Sequence, residues 1–273
     1  MAADSDIAIL DSVTKLGPAY RDKVAIAASH GGVYAGYVAA RDGARAVILH
    51  DAGIGKDRAG VASLDYLDRI GFPAATIDHR TGRIGDGASM AAGGVISYLN
   101  KAAAALGCAA GQTAMDCARA MARAAPFRGT APKYDEGRSL LRHNPGEPEV
   151  WGCDSVSLVK DGDEGHVIVS ASHGEVLAAD PSWGKRPKVL AALFNDAGAD
   201  LAKGGGSRLP DLDRLGIAGA LVDCRTARIG DSRSAWETGV VSACNDRARA
   251  LGGWAGQTTQ AFVAAVIDGA KGR

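Results

Sequence analysis

One charged motif occurs twice in the chain, as DHRTGRIGDG at residues 78–87 and as DCRTARIGDS at residues 223–232. The similarity extends well beyond the motif, because about 30 of roughly 63 positions between Asp51 and Thr113 are identical to their partners further along the chain. Upstream, DSVT and ASHG in the first half correspond to DSVS and ASHG in the second half. Two copies, rather than many, predict an internally duplicated chain with two pseudo-symmetric domains and not a solenoid.

The segment between the copies differs from both of them. It is rich in proline, glycine and charge and has no clear apolar period. Such a composition is typical of a connector, with one helical turn indicated at SLLRH. We therefore predict a first α/β repeat at residues 1–125, a connector at 126–149 and a second α/β repeat at 150–273. The 273 residues, of which 47% are apolar, suffice for two domains.

Within each copy, short apolar runs alternate with amphipathic segments. VAIAAS, RAVILH and PAATID are typical of buried parallel strands, and VASLDYLDRIG is typical of a helix. Residues 89–106 are expected to form one long helix with Asn100 in its middle, and SAWE at 234–237 to be a capping box. DSVTKL with VAIAAS, and SVSLV with HVIVSAS, indicate hairpins. The pattern predicts two Rossmann-like, doubly wound α/β domains with mostly parallel sheets and an antiparallel edge strand.

Charge and cysteine content argue against several classes of protein. The 31 basic and 31 acidic residues balance, so no global field favours nucleic acid or an anionic membrane. Five cysteines without CxxC spacing indicate neither a disulfide framework nor a zinc knuckle, and a reducing cytoplasm is expected. No run approaches the roughly 20 apolar residues of a membrane span. The acidic N-terminus is unlike a targeting segment.

Polar side chains shared by the copies follow the predicted parallel strands. Because the carboxyl ends of parallel strands meet at one edge of a sheet, where ligands bind in open α/β folds, we expect these side chains to gather in one crevice per copy. The candidate catalytic residues are Ser29, His30, His79 and Cys224. The candidate substrate-binding residues are His50, Asp51, Lys56, Asp78, Arg80, Arg83 and Arg225.

Each of these candidates also has a structural interpretation. His79 in the first motif stands where Cys224 is in the second, and a pseudo-twofold axis would pair them as base and nucleophile. The alternative is a loop histidine and a small buried cysteine. Arg83 with Asp86 either binds an anion or locks the loop. His30 either is catalytic or donates to a carbonyl in a tight turn.

The sequence carries no fingerprint of a cofactor. HDAGIGKDRAG at 50–60 places glycines before a lysine but fails the spacing of a phosphate-binding loop, and no GxGxxG follows a strand. No HxH or HExxH spacing indicates a metal, although the histidine and aspartate ligand types leave a divalent cation as an alternative. We therefore predict neither a metal nor another cofactor.

Together the candidates predict a cofactor-independent enzyme that acts on a small carboxylate- or amide-bearing metabolite. Hydrolysis of a C–N bond in an amide or cyclic amide, or of a C–O bond, is favoured, with arginines holding the anionic group. His30 or His79 would supply acid–base catalysis. Ser29 or Cys224 would be the nucleophile. An isomerase or racemase would use the same groups, and a non-catalytic sensor of small anions is the alternative from another class. Stretches such as AAAALG favour a homo-oligomer.

Overall fold

The computed structural model describes residues 4–178 and 183–271, which form two compact α/β units. The first unit comprises the described residues of Met1–Ile54, Arg58–Asp135 and Leu177–Ala179. The second comprises those of Gly55–Asp57, Glu136–Val176 and Asp180–Arg273. The predicted connector is thus divided between the units, and its second part belongs to a sheet.

The first unit is built on a five-stranded sheet. Its strands are β1 (Ile7–Leu10), β2 (Val24–His30), β3 (Ala46–His50), β4 (Ala74–Ile77) and β5 (Ile96–Leu99). Its helices are α1 (Val33–Arg41), α2 (Ser63–Asp68), α3 (Gly87–Gly93), α4 (Lys101–Ala104) and α5 (Ala114–Met121). Short 3-10 helices cover Asp4–Asp6, Val13–Lys15, Pro18–Tyr20 and Lys56–Val61. The strand order is β1-β2-β3-β4-β5; β1 to β4 are parallel, and β5 is antiparallel to β4.

The second unit is built on a six-stranded sheet. Its strands are β6 (Arg138–Arg142), β7 (Val150–Cys153), β8 (Val167–His173), β9 (Ala191–Asn195), β10 (Ala218–Val222) and β11 (Val241–Cys244). Its helices are α6 (Arg208–Arg214), α7 (Ser232–Thr238), α8 (Asp246–Ala250) and α9 (Thr259–Lys271). Short 3-10 helices cover Val156–Leu158, Asp161–Asp163, Trp183–Lys185 and Leu201–Lys203. The strand order is β11-β10-β9-β8-β7-β6; β7 to β10 are parallel, and both edge strands are antiparallel.

The central strands of each sheet are buried on both faces, which explains why they are almost wholly apolar. Successive residues of a strand point to opposite faces. In β3, Val47 therefore packs in one cluster with Leu67 of α2, and Ile48 packs in another with Met90 of α3 and Met121 of α5. Burial of each such side chain stabilises the fold by about 1.5–3 kcal/mol. Within the described residues, no helix combines the length and apolar character that crossing a membrane requires.

The predicted α/β class, with mostly parallel sheets and an antiparallel edge strand, is confirmed. The predicted hairpins are wrong, because β1 and β7 each lie parallel to the following strand. The segments SVTKL and SVSLV form 3-10 turns instead, capped by Ser12 and Ser155. The segment between β1 and β2 is long enough for the crossover that joins parallel strands, whereas a tight hairpin loop joins only antiparallel strands. The sequential strand order also lacks the reversal at which a doubly wound sheet opens its crevice.

The long helix predicted at residues 89–106 is three elements. Helix α3 stops at Gly93, Ile96–Leu99 forms β5, and Asn100 then caps α4 instead of lying mid-helix. Likewise the cap of α7 is Asp231 and not the serine of SAWE. The turn predicted at SLLRH is the edge strand β6. In the first of these segments the paired Gly93 and Gly94, followed by the β-branched Val95 and Ile96, outweighed the apolar helical period.

Asn100 generates a prediction about stability. Its side chain is buried, and its Oδ1 accepts hydrogen bonds from the Ala103 N–H at 3.0 Å and the Ala74 N–H at 3.1 Å. Its Nδ2 donates to the Phe72 carbonyl at 2.8 Å. Because Asn100→Ala removes the cap and leaves buried backbone groups unpaired, we expect the free energy of unfolding to fall by about 2–4 kcal/mol in urea denaturation.

The control for this substitution is Asn144→Ala. Asn144 is exposed and donates to Glu147. Its removal should change the free energy of unfolding by no more than about 0.5 kcal/mol. Equal stability of the two variants would contradict the role assigned to Asn100.

Candidate functional site

The carboxyl ends of β2, β3 and β4 lie side by side in the first sheet. The pairing register places His30 beside His50 and His50 beside Ile77. Residues that follow β3 and β4 directly are therefore neighbours, and they include Asp51 and His79. The structure thus brings together four of the side chains for which the sequence predicted a common site.

A buried carboxylate joins the ends of β3 and β4. The side chain of Asp51 is 2% exposed, and its Oδ1 lies 2.9 Å from His79 Nδ1. The same oxygen accepts hydrogen bonds from the backbone N–H groups of Gly53 and His79, both at 3.1 Å. Because an ionised carboxylate only accepts, Nδ1 carries the proton and the lone pair of a neutral His79 ring is on Nε2. A carboxylate that fixes the tautomer and orientation of an imidazole prepares it for proton transfer.

Charges around His79 tune its protonation. The hydrogen bond to Asp51 raises the pKa of His79 above its ordinary value of 6.5. Beside it, Arg80 donates to Asp78 through its backbone N–H and through Nε, both at 2.9 Å, and through Nη2. These bonds lower the pKa of Asp78 to about 2. The side chain of Arg80 is nevertheless 76% exposed, so it remains accessible to a solute.

His50 is part of the architecture. Its Nδ1 accepts from the Ala52 N–H and its Nε2 donates to the Gly82 carbonyl, both at 3.0 Å. Both nitrogens are therefore engaged, and burial lowers the pKa of His50 to about 4. Burial also lowers the pKa of His30 to about 4, and its Nδ1 accepts from the Gly32 N–H at 3.1 Å. The structural interpretation of the SHG turn has His30 donating to a carbonyl. In the structure its Nδ1 accepts a hydrogen bond instead.

Two other candidates from the first copy, Ser29 and Lys56, lie apart from this cluster, and a third, Arg83, makes no contact with it among the described residues that fixes its position. Ser29 Oγ accepts from the Val13 N–H at 2.9 Å, which ties it to the turn after β1. Arg83 is exposed. Lys56 is grouped with the second unit, where its Nζ donates to Thr238 Oγ1 at 2.8 Å.

In the second unit, Cys224 occupies the position that corresponds to His79. Its backbone N–H donates to Asp196 Oδ1 at 3.0 Å, as the His79 N–H does to Asp51. Burial and the neighbouring Asp196 raise the pKa of the Cys224 thiol to about 12. A thiol that stays protonated near neutral pH is a weak nucleophile, so the structure favours the interpretation of Cys224 as a small buried residue.

The remaining candidate, Arg225, repeats the local geometry of the first motif. Its backbone N–H and Nε donate to Asp223 Oδ1 at 2.8 Å and 3.0 Å, and its Nη2 donates to Oδ2 at 2.6 Å. Its side chain is exposed.

The second part of the motif organises the loop. Asp86 and Asp231 accept from backbone N–H groups at the starts of α3 and α7. In the second unit, Arg228 Nε and Nη2 donate to Asp231 Oδ2 at 3.0 and 2.9 Å, and Nη1 donates to Asp57 Oδ2 at 2.8 Å. This is the loop-locking alternative. The arginine and aspartate of this part of the motif therefore lock the loop in the second unit, and in both units the aspartate caps a helix.

Two groups of potential metal ligands occur among the described residues. The first is Asp51, Asp78 and His79, and the second is Asp196, Asp223 and Cys224, each with its ligand atoms within 4.8 Å of one another. In the first group the carboxylate of Asp78 is bound by Arg80, and Asp51 Oδ1 is occupied by three donors. A cation would have to displace a guanidinium group.

No sequence pattern indicates the close packing between the loops after β2 and β3. A Cβ atom on Gly31 would overlap the carbonyl oxygen of Gly60, and one on Gly60 would overlap that of Asp51. The loop after β3 also holds Ala52 and Ile54 at φ of 50° and 64°, which non-glycine residues rarely adopt. Clustered strain of this kind is common at functional sites. Gly31 and Gly60 are the part of the sequence that could have indicated this close approach. Nothing in the sequence indicates a positive φ at Ala52 or Ile54.

The second unit suggests a matched substitution for His50. Asn195 stands in its place and makes the same two bonds, accepting from the Ala197 N–H at 2.9 Å and donating to the Ala227 carbonyl at 3.2 Å. Because burial lowers the pKa of His50 from 6.5 to about 4, the unfolded chain binds more protons between these values. Stability is therefore complete above pH 6.5 and is lost as the pH falls toward 4.

We expect His50→Asn to remove this part of the acid sensitivity, which amounts to roughly 3 kcal/mol. The variant should match the wild type within about 1 kcal/mol at pH 7, since both hydrogen bonds can be kept. Urea denaturation between pH 7 and pH 4.5 measures the difference. Parallel pH profiles of the two proteins would show that His50 does not titrate as described.

Asp51 can be tested through the titration of His79. Stabilisation from this pair is complete below pH 6.5 and is lost as the pH rises through the raised pKa of His79 in the folded state. Asp51→Asn removes the negative charge, so we expect the pKa of His79 to fall by at least about 1 unit. Titration of the His79 ring signals by NMR measures it. The exposed His143, 3.1 Å from Glu149, is the internal control, because Asp51→Asn changes neither partner of this pair.

No protein-family model, no curated protein and no solved structure matches this chain.

Proposed function

We propose that the chain is an enzyme, independent of a redox cofactor, that hydrolyses a C–N bond of an amide or cyclic amide, or a C–O bond, in a small carboxylate-bearing metabolite. The observation that carries this proposal is the Asp51–His79 pair at the carboxyl end of a parallel sheet. The His79 side chain is 24% exposed, whereas the side chain of Asp51 is buried. One imidazole is therefore held rigidly and still reaches solvent.

His79 would act as a general base and then as a general acid. Nε2 of the neutral ring takes a proton from water as the water oxygen bonds to the carbonyl carbon. The imidazolium formed is stabilised by the Asp51 carboxylate. It then gives its proton to the leaving nitrogen or oxygen as that bond breaks. A pKa raised above 6.5 suits both steps, because catalytic groups work best when their pKa is near the working pH.

Water is the nucleophile in this proposal. Ser29 Oγ is bound to the turn after β1, and the Cys224 thiol remains protonated. Arg80 and Arg83, which are both exposed, would hold the carboxylate of the metabolite. An arginine binds a carboxylate in a fixed planar geometry, which orients the bond to be cleaved.

The second unit favours a second candidate function, the binding of a small anion without turnover. It keeps the Arg225–Asp223 pair but has a cysteine where the first unit has its histidine. The groups that recognise an anion are therefore retained and the acid–base group is not.

We also infer that the two units arose by duplication of one α/β unit. Support comes from the sequence identity and from the equal pairing pattern of β1 to β5 and β7 to β11. Helices on both faces of a mostly parallel sheet make each unit Rossmann-like in layers, although not in strand order.

His79→Ala tests the catalytic proposal. A thermal-shift screen of small carboxylic acids and cyclic amides, followed by mass spectrometry of each hit, identifies a substrate. On that substrate His79→Ala should lower kcat by about 10²- to 10⁴-fold, because the acid–base group is lost. The melting temperature should change by no more than about 4 °C, since the side chain is only half-buried.

The matched control is His143→Ala, which removes an exposed histidine at a carboxylate outside the site. It should keep full turnover. Turnover by His79→Ala equal to that of this control would refute the role of His79. Ligand-induced stabilisation without any product would favour the anion-binding function instead.

A further inference from the structure

The first unit has a groove at the edge of the sheet opposite to the candidate site. Its volume is about 370 Å³. Arg45, which immediately precedes β3, and Pro73, which immediately precedes β4, place the groove at the amino ends of these strands. Side chains from α4, from the following loop and from the segment after α5 complete it. The lining residues are Arg45, Gly71, Pro73, Ala102, Leu106, Ala124, Ala125, Pro126, Phe127 and Arg128.

The groove combines an apolar lining with two guanidinium groups. Arg128 pairs with Asp22 through Nη1 at 2.6 Å and Nη2 at 2.9 Å. Arg128, with additional charge from Arg45 and Arg21, lowers the pKa of the Asp22 carboxyl. Three arginines therefore surround a single carboxylate, and the local charge is positive.

Arg45 itself has unused hydrogen-bonding capacity. Its Nη1 donates to the Ala122 carbonyl at 2.6 Å. Its Nε is buried and has no hydrogen-bond partner among the described residues. Buried donors are normally paired, so the guanidinium of this groove-lining residue lacks one acceptor.

The sheet itself does not need an arginine at this position. The chain has Leu190 at the corresponding place before β9 in the second unit. A leucine therefore satisfies the architecture, and the charge at Arg45 is a property of the first unit alone.

We propose that this groove binds a small organic anion, with a carboxylate or phosphate head at Arg45 and Arg128 and an apolar body against Leu106, Pro126 and Phe127. A groove of about 370 Å³ is near the small end of known ligand sites. The head group supplies the acceptor that Arg45 lacks, and the apolar body covers the alanine, proline and leucine lining. This site is independent of the hydrolysis proposed above.

Calorimetric titration of the full chain with hexanoate and with hexyl phosphate tests this proposal. At least one of them should bind saturably, and more weakly as salt is raised. Acetate and inorganic phosphate, which lack the body, and hexanamide, which lacks the charge, should each bind at least tenfold more weakly. The stronger of the two probes identifies the head group. Binding of hexanamide as tight as that of the stronger anionic probe, or no saturable binding of either anionic probe, would overturn the proposal.

Arg45→Leu, which introduces the residue of the second unit, should weaken the preferred probe at least tenfold. Arg128→Gln is the second variant, because Arg128 is largely exposed and its loss leaves the core intact. If Arg45→Leu fails to fold, the affinity of Arg128→Gln for the preferred probe tests the proposal instead. Unchanged affinity in a folded Arg45→Leu, or in Arg128→Gln when Arg45→Leu does not fold, contradicts the proposal. His79→Ala should bind the probe as the wild type does, so this result and the catalytic test are separable.

Discussion

An aspartate that accepts hydrogen bonds from two loops at once is the interaction on which the strand ends of each unit depend. In the first unit Asp51 accepts from the backbone N–H groups of Gly53 and His79. In the second unit Asp196 accepts from those of Gly198 and Cys224. For Asp51, which is buried, a carboxylate left unpaired in the interior would cost several kcal/mol, so its donors are essential. The backbone bond does not depend on the side chain at residue 79 or 224. Histidine and cysteine can therefore exchange there without loss of the architecture.

A difference in sequence between the copies therefore does not by itself show a difference in structure or chemistry. His50 and Asn195 differ in sequence, yet they make the same two backbone contacts. The difference between them is thus a change of titration behaviour and not of structure. His79 and Cys224 differ in the side-chain bond itself, and only the histidine forms a solvent-accessible pair with its buried aspartate.

The first unit presents two chemically distinct edges. Its carboxyl edge carries the carboxylate-bound histidine, and its amino edge carries an apolar groove with Arg45 and Arg128. Parallel strands impose this arrangement, because all their carboxyl ends meet at one edge and all their amino ends at the other. Residues that precede the strands can therefore vary between the units, as Arg45 and Leu190 do, without changing the site that follows the strands.

Local pattern was sufficient for some elements and insufficient for others. Buried strands such as β2 and β3 were predictable because their apolar, β-branched runs have one stable environment, the interior of a parallel sheet. The region around Asn100 was not, since an apolar stretch satisfies a helix or a buried strand equally well until its neighbours are known. The motif alone groups Ser29 and Lys56 with His79, whereas in the structure their side chains are bound elsewhere, to the Val13 N–H and to Thr238.

By itself the sequence determined the α/β class, the two similar halves and the edge of the sheet at which polar side chains collect, because these follow from periodicity and self-similarity along the chain. Only the tertiary structure decided that Asp51 reaches across to His79 and that both ring nitrogens of His50 are already engaged. Such contacts join residues far apart in sequence. Their geometry depends on strand register and on loop packing around Gly31 and Gly60, which no local pattern encodes.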